Sequence, residues 1–531
     1  MNHSRTLFTV LLIAAPVVAC NALTGADNLV IDENFDDEGS VGAQTSNGAG
    51  PTGAGGGATT GAGTGATGVG SGTATTGGNP PPDPLGDALG VGINEIALYQ
   101  GVKRPLMANG AAVASNTPVV AGRDALIRVF AADQGGYDGG PVVARLYLNG
   151  STQPYEVQRT VSSPSEGSLQ STFNFDVPGA DLADGFSYRV ELKQAASPGS
   201  VNPGAAFPAS GFEQIGVQSS GPALKISLVP VSYGADGSNR LPDTSPGQLQ
   251  AYEELFYAMY PVPAIDISVH APVGWNQAVA NNGNGWDGLL NAIADLRANE
   301  GATDVYYYGI FSPAASAGDY CAGGCVAGLG FVGGPADNYT RASIGLGFSG
   351  SLATETAVHE LGHNHGRNHS PCGGAAGADQ NYPYPNASIG SWGYNLLTGQ
   401  LYSPNEFSDV MGYCSPIWVS DYTYKAFFNR VKSVNGASVV FPQELLNRTY
   451  DRVRVDPNGG LTWMDSIQLA TPPMGEEKSV VLTSDAGSET VTGQYYTYDH
   501  LDGGVLFWPA SQQPFQAVQI QVAGKVMNLS R

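Results

Sequence analysis

Residues 359–369 read His-Glu-Leu-Gly-His-Asn-His-Gly-Arg-Asn-His and match the pattern H-E-x-x-H-x-x-G-x-x-H at every fixed position. On a helix, His359 and His363 lie about 40° apart and one turn from each other, so both imidazoles can reach one metal ion. Gly366 can take the left-handed conformation that ends a helix. His369 then lies beyond the turn and is predicted to be the third ligand.

Three protein ligands leave one coordination position for water, which is typical of a catalytic zinc site and not of a closed structural one. Glu360 follows the first ligand and is predicted to act as general base toward the water, whose pKa zinc lowers to about 7. His365 falls about 240° around the helix from His359, so we do not expect it to bind the metal. Four of the seven histidines lie within these eleven residues, which disfavours an incidental cluster.

The eleven-residue motif resembles that of the metzincin clan of zinc metallopeptidases, which also has a methionine-containing turn beneath the metal. Residues 409–414, Asp-Val-Met-Gly-Tyr-Cys, fit this turn, and Met411 lies 42 residues after His369. The resemblance implies that Tyr413 approaches the zinc or stabilises an oxyanion; a packed aromatic ring is the alternative. Ser370 is similar to the matrixin pattern and Tyr413 to that of astacins, so the subfamily stays open. The domain layout is similar to that of secreted bacterial mucin-degrading metalloproteases.

The function that this resemblance implies is zinc-dependent endopeptidase activity on extracellular proteins or glycoproteins. In the clan, substrate extends along an edge strand before the active-site helix, for which residues 326–332 are the candidate. Trp418 would by analogy line a substrate pocket, or it is buried in the hydrophobic base. The alternative function is a surface adhesin or glycan-binding lipoprotein with a non-catalytic metal site, and the intact Glu360 and Met411 favour the enzyme. Calcium is a possible second metal, but no loop has the ligand spacing that supports it.

Besides Cys20, the chain has four cysteines, an even number that predicts two disulfides in an oxidising compartment. Three pairings are possible. A bridge between Cys372 and Cys414 would join the loop of the third ligand to the methionine turn, and Cys321 would then pair with Cys325. A second metal site formed by these cysteines is the less favoured alternative.

The 531 residues predict several domains and an α+β fold, with a metzincin-like catalytic domain between two β-sandwich domains. Short alternating strands and turn pairs before residue 221 and after residue 437 predict the two sandwiches, the first of immunoglobulin-like type. Strands and helices alternate between them. The predicted segments are 1–20 (signal), 21–88 (Gly/Thr/Ala-rich tether), 89–221 (β-sandwich), 222–436 (protease) and 437–531 (β-sandwich).

The N-terminus resembles a bacterial lipoprotein signal, because an apolar run over residues 7–19 ends in Val-Val-Ala-Cys. The resemblance implies that Cys20 is acylated and anchors the chain, and Asn21 favours the outer membrane or cell surface. A plain secretory signal is the alternative. A formal net charge of −23 argues against nucleic acid as a partner. We expect a monomer that acts on protein substrates.

Overall fold

The computed structural model describes residues 84–195, 198–436, 441–522 and 524–531. The signal segment, Cys20 and most of the tether lie outside the described residues. Within those ranges, no helix has the length and apolar character needed to cross a membrane. The described chain is a mixed α+β structure that is rich in sheet and has few helices.

The N-terminal part consists of two antiparallel sheets that share one apolar core. Side chains of β7 alternate between buried and half-buried positions, as the sequence pattern predicts for a strand with one face on a core. One sheet has the order β1-β10-β7-β8, and the other contains β3-β2-β6-β9. The strands are β1 (Gly86–Asp87), β2 (Val91–Tyr99), β3 (Gly101–Ala108), β4 (Ala111–Ala112), β5 (Val119–Val120), β6 (Ala125–Asp133), β7 (Val142–Leu148), β8 (Tyr155–Arg159), β9 (Phe173–Val177), β10 (Ser187–Gln194), β11 (Ala206–Phe207), β12 (Glu213–Gln214) and β13 (Val217–Gln218).

The central part is built on a sheet of order β15-β14-β17-β19-β18, in which only β18 runs antiparallel to its neighbour. Ser245 caps α1 by accepting a hydrogen bond from the Gln248 N–H, and Pro246 occupies the first helical position, as the sequence predicts. The elements are β14 (Leu224–Tyr233), α1 (Pro246–Met259), β15 (Ile265–Val269), β16 (Val273–Trp275), α2 (Trp286–Glu300), β17 (Tyr306–Phe311), α3 (Ala317–Tyr320), β18 (Gly328–Gly330), β19 (Ala342–Leu346) and α4 (Ser351–Asn364).

The chain after α4 returns to the N-terminal sheet before it closes the central part. Its elements are β20 (Gly393–Tyr394), β21 (Leu401–Tyr402), β22 (Ser408–Asp409), β23 (Ile417–Trp418) and α5 (Asp421–Gly436). Strand β20 pairs with β3, so the sheet of the N-terminal part contains strands from the segment predicted to be protease. Hydrogen bonds of this sheet therefore cross the boundary predicted near residue 221.

The C-terminal part is one seven-stranded antiparallel sheet of order β25-β24-β28-β27-β26-β29-β30, whereas the sequence pattern predicted a small two-sheet sandwich. The indole N–H of Trp463, on the first strand of this order, donates to the Ser530 carbonyl on the last, 3.0 Å away. The sheet therefore curls on itself, which alternation along single strands does not reveal. Its strands are β24 (Arg448–Val455), β25 (Leu461–Leu469), β26 (Glu476–Ser484), β27 (Gly487–Thr497), β28 (Gly504–Pro509), β29 (Ala517–Val522) and β30 (Lys525–Ser530).

Helix α2 is the surface on which the C-terminal sheet docks. The Arg452 guanidinium lies 2.7 Å from the Asp295 carboxylate, and Arg454 lies 3.0 Å from Asp287. Side chains of both parts, including Leu290 of α2 and Phe507 of β28, belong to one apolar cluster. This docking places the turn between β27 and β28, residues 498–503, over the central sheet.

Candidate metal centre

Helix α4 carries two of the three predicted ligands on one face. Its capping hydrogen bonds end at His365, and Gly366 follows with φ at +78°, the left-handed conformation that turns the chain back. Arg430 of α5 donates hydrogen bonds to the carbonyls of Asn364 and Gly333 at 2.6 Å, which holds this helix end in place. The Nε2 atoms of His359 and His363 are 3.1 Å apart.

The third histidine reaches the same point from the loop after the helix. One ring nitrogen from each of His359, His363 and His369 lies within 4.8 Å of the others, and all three residues are buried. The Nε2 of His369 has no hydrogen-bond partner among the described residues. A buried polar atom without a partner is costly, which indicates that a ligand belongs at this point.

Backbone carbonyls fix the tautomer of each ring. The Nδ1 atoms of His359, His363 and His369 lie 2.7, 2.7 and 2.6 Å from the carbonyls of Val410, Arg367 and Ala376, respectively. Because a carbonyl only accepts, each Nδ1 must donate, and each Nε2 carries a lone pair in the neutral ring. The short approach of the His359 and His363 Nε2 atoms is therefore not a hydrogen bond between neutral rings.

Burial keeps these rings neutral. It lowers the pKa of His359 well below its ordinary value, and the neighbouring His363 and His369 lower it further. The pKa of His363 is also lowered by burial, and that of His369 falls to about 3 for the same reason. Three inward-facing lone pairs repel each other unless a cation lies among them. Imidazole nitrogens oriented by carbonyls are a donor set that fits a divalent transition metal such as zinc.

The side chain of Glu360 extends from α4 toward the edge strand β18. It is fully buried, and none of the described donors is hydrogen-bonded to its carboxylate oxygens. Gly328 and Gly330 allow this close approach, because a Cβ at Gly328 would overlap the Glu360 side chain. Burial, and then the charge of Asp499, raise the pKa of Glu360 well above its usual range. Glu360 and His363 come within 4.8 Å of Asp499, measured between ligand atoms.

The predicted methionine turn lies directly beneath the helix. Met411 is fully buried, and its side chain fills the space beside Gly362, where a Cβ would lie 3.0 Å from the Met411 Cε. The carbonyl of Val410 is the one that orients His359. The Tyr413 ring packs against His369, with ring centroids 4.7 Å apart, and is buried at the centre.

A disulfide and a buried carboxylate join this turn to the loop of the third ligand. Cys372 is bonded to Cys414, and Cys321 to Cys325, which is the favoured pairing of the four cysteines. Asp409 is fully buried and accepts hydrogen bonds from the Ser370 hydroxyl at 2.6 Å and the Met411 N–H at 3.0 Å.

Two residues considered from the sequence lie away from the histidine cluster. His365 stacks on Tyr306, with ring centroids 4.7 Å apart, and its Nδ1 donates to the Leu361 carbonyl, so it is a core residue. Trp418 is 2% exposed, and its indole N–H donates to the Gly101 carbonyl at 2.8 Å. The Trp418 ring is therefore buried in the hydrophobic base and does not line an open pocket.

Asp499 and His500 are at the centre, although the sequence pattern did not single them out. They belong to the 498–503 loop, and Asp499 Oδ2 lies 3.2 Å from His363 Nε2. The His500 Nδ1 is 2.6 Å from the same carboxylate. Burial raises the pKa of Asp499, but His500 and His363 outweigh it, and the net shift is downward. The only hint in the sequence was an Asp-His pair in a C-terminal part otherwise without histidine.

One of three comparisons with known proteins supports a peptidase. No curated protein matches the sequence. A solved structure described as "Structure of a chaperone-substrate complex" is 12% identical with a TM-score of 0.23; the match covers 50% of this chain and 39% of that chain. The sequence model of the family Peptidase M66 matches residues 249–414, which include the three histidines and Glu360. This match supports assignment of the protein to a metallopeptidase family.

Proposed function

We propose that the protein is a zinc-dependent endopeptidase that hydrolyses extracellular proteins or glycoproteins. The observation that carries the proposal is the convergence of three neutral, buried imidazoles beside a buried carboxylate. The Peptidase M66 match over residues 249–414 supports the peptidase class. The donor set of three nitrogens is one that zinc accepts in hydrolytic enzymes.

His359, His363 and His369 would hold the ion through Nε2. When bound, zinc polarises a peptide carbonyl and lowers the pKa of water to about 7. Glu360 takes the proton from the attacking water and delivers it to the leaving amine. Burial raises the pKa of the Glu360 carboxyl, so it accepts and holds a proton more readily than an exposed carboxylate would.

In this proposal, Tyr413 contacts the oxygen of the attacked carbonyl and β18 positions the substrate peptide. The Tyr413 ring contacts the rings of His359 and His369, with centroids 5.9 and 4.7 Å away, so a phenol side chain packs directly against two of the ligands. It would donate to the oxygen that becomes negative as water adds to the carbonyl. Strand β18 is at the sheet edge and lies against Glu360, so an extended peptide that adds to it runs past the base.

The proposal includes an exported, lipid-anchored protein, with Cys20 as the acylated residue and a monomer as the active form. The two disulfides support folding in an oxidising compartment. An acidic chain with a net charge of −23 supports protein substrates over nucleic acid. Labelling with a radioactive fatty acid in the native host, compared between wild type and Cys20→Ala, tests the anchor.

The activity test compares Glu360→Gln with Glu355→Gln on the same helix. Each is made in the full chain and also with Asp499→Ala, because the Asp499 carboxylate lies beside His363. Casein and a mucin-type glycoprotein are the substrates, with and without a zinc chelator. We expect Glu360→Gln to lower the cleavage rate by about 10²- to 10⁴-fold with metal content unchanged. Equal rates for the two glutamine variants would refute the role of Glu360, and zinc binding without cleavage in any form would favour a non-catalytic surface protein.

A further inference from the structure

We propose that Asp499 is a fourth protein ligand of this metal centre, and that the 498–503 loop keeps the enzyme latent while the carboxylate is in place. The latency rests on the proposed peptidase function, whereas the ligand assignment does not. Asp499 lies in the loop between β27 and β28 of the C-terminal sheet, outside residues 249–414, the region that matches Peptidase M66.

Distances between donor atoms place Asp499 against the histidine cluster. Four ligands about 2.0 Å from a tetrahedral zinc ion are separated from each other by about 3.3 Å. The His359 and His363 Nε2 atoms are 3.1 Å apart, and Asp499 Oδ2 is 3.2 Å from His363 Nε2. Donor atoms of His369, Asp499 and His500 also lie within 4.8 Å of one another. The carboxylate thus lies at a distance from His363 that two ligands of one ion would have.

The backbone of the same loop occupies the edge of β18. Tyr498 forms an antiparallel bridge with Phe331, and the Asp499 N–H donates to the Gly330 carbonyl at 3.2 Å. In return, the Gly330 N–H donates to Asp499 Oδ1 at 3.2 Å. These are the main-chain contacts that an added peptide strand would make. A substrate and the 498–503 loop therefore compete for one edge and for one coordination position.

His500 holds the carboxylate in this position. Its side chain is 1% exposed and that of Asp499 is 0% exposed, so neither reaches solvent. The 2.6 Å contact between His500 Nδ1 and Asp499 Oδ2 is the kind of outer hydrogen bond that orients a metal ligand. Its Nε2, the other ring nitrogen, is buried and has no hydrogen-bond partner among the residues described.

Release of the loop does not require the C-terminal sheet to separate. Asn291 of α2 donates to the Tyr498 hydroxyl at 2.8 Å, and Arg452 pairs with Asp295, so the base of the loop is held independently of Asp499. Gly503 ends the loop with φ at +104°, and Gly504 begins β28 with φ at +157°. These are conformations that glycine adopts without strain, so a change of backbone direction is concentrated there. In this proposal the part that moves is residues 499–503.

The test uses the full chain loaded with Co²⁺ in place of zinc, because the visible absorption of Co²⁺ reports the number and type of its ligands. Asp499→Asn keeps an oxygen that can accept from the Gly330 N–H, whereas Asp499→Ala removes the side chain. Asp502→Asn, in the same loop and exposed, is the matched control. Three quantities are measured: the Co²⁺ spectrum with and without azide, zinc affinity by chelator competition, and the rate of casein cleavage.

We expect both Asp499 variants to bind zinc about tenfold or more weakly than wild type, and their Co²⁺ spectra to respond to azide because a coordination position is open. Their cleavage rate should exceed that of wild type and of Asp502→Asn by at least about tenfold. A spectrum, zinc affinity and azide response equal to those of wild type would overturn the ligand assignment. Altered spectra with a lower cleavage rate would overturn the latency. Altered spectra without cleavage by any form would overturn the peptidase function and leave Asp499 as a ligand of a closed site.

Discussion

Replacing Asp409 by Asn tests whether a single buried carboxylate holds the two halves of the metal site together. Its Oδ1 accepts hydrogen bonds from the Ser370 hydroxyl at 2.6 Å and the Met411 N–H at 3.0 Å. Its Oδ2 accepts from the Ser420 N–H at 2.9 Å. An asparagine can keep its oxygen on only one of these sides. The side with two donors is the better one, so the new NH₂ group would face the Ser420 N–H.

The expected cost follows from that mismatch. A hydrogen bond to a charged group contributes about 1.5–3 kcal/mol, and a buried N–H left without an acceptor costs about 1–3 kcal/mol. We therefore expect the metal-free Asp409→Asn variant to lose about 3 kcal/mol of unfolding free energy. For a unit of 150–250 residues this corresponds to a fall in Tm of about 6–12 °C. Because Asp409 positions the turn that orients His359, we also expect a 10- to 100-fold weaker affinity for zinc.

Differential scanning calorimetry of the metal-free protein measures the first quantity, and competition with a chromogenic chelator measures the second. Asp236→Asn is the matched control, because this exposed carboxylate accepts hydrogen bonds from Ser238 and Arg240 that water can replace. We expect it to leave both quantities almost unchanged. If Asp409→Asn behaved like Asp236→Asn in both assays, the proposed role of Asp409 would be wrong.

Three further changes have expected outcomes that the structure fixes. Gly328→Ala should lower the cleavage rate far more than zinc affinity, because the new Cβ would lie 2.5 Å from the Glu360 Cγ and displace that side chain. Burial lowers the pKa of His365 to about 3, so acid protonates this imidazole in the unfolded chain before it does so in the folded one. Wild type therefore loses about 2 kcal/mol of unfolding free energy between pH 6.5 and pH 5, and His365→Phe should remove this loss. Replacing Cys372 and Cys414 by serine should cost about 4 kcal/mol, because their bridge closes a loop with a sequence separation of 42.

Each of these has a control in the same chain. Gly330→Ala brings its Cβ only to 3.2 Å from Glu360, so a rate as low as that of Gly328→Ala would contradict the steric explanation. Because the pKa of His365 is depressed in the folded state, its contribution to the free energy of unfolding is complete above pH 6.5 and is lost as the pH falls. Equal pH profiles of stability for wild type and His365→Phe would show that His365 makes no such contribution. Removing the Cys321–Cys325 bridge, with a separation of 4, should cost only about 2 kcal/mol, and a larger loss there would argue against the loop-length account.

Local patterns in the sequence predicted the parts of the site that lie close together in the chain. The spacing of His359 and His363 follows from helical geometry alone, and the helix does run from Ser351 to Asn364. Gly366 was expected to turn the chain, and its φ is positive. The favoured cysteine pairing is also present: Cys372–Cys414 joins the loop of the third ligand to the methionine turn, and Cys321–Cys325 joins two cysteines four residues apart.

The parts that could not be predicted depend on contacts between distant segments. Asp499 lies 130 residues after His369, and nothing in its strand pattern indicates which surface the loop meets. The sequence leaves Trp418 open between pocket and core because its neighbour, the Gly101 carbonyl, comes from the other end of the folded chain. The C-terminal sheet was expected as a sandwich because alternation marks a buried face but does not say whether one sheet or two enclose it.

Strand β20 makes the N-terminal part a structural component of the enzyme and not a detachable spacer. Its pairing with β3 and the hydrogen bond from Trp418 to Gly101 connect the segment between the third histidine and α5 to a scaffold assembled from the beginning of the folded chain. Any relative in which this catalytic unit is recombined with a different preceding module would have to replace both contacts. We therefore expect the N-terminal and central parts to be inherited together.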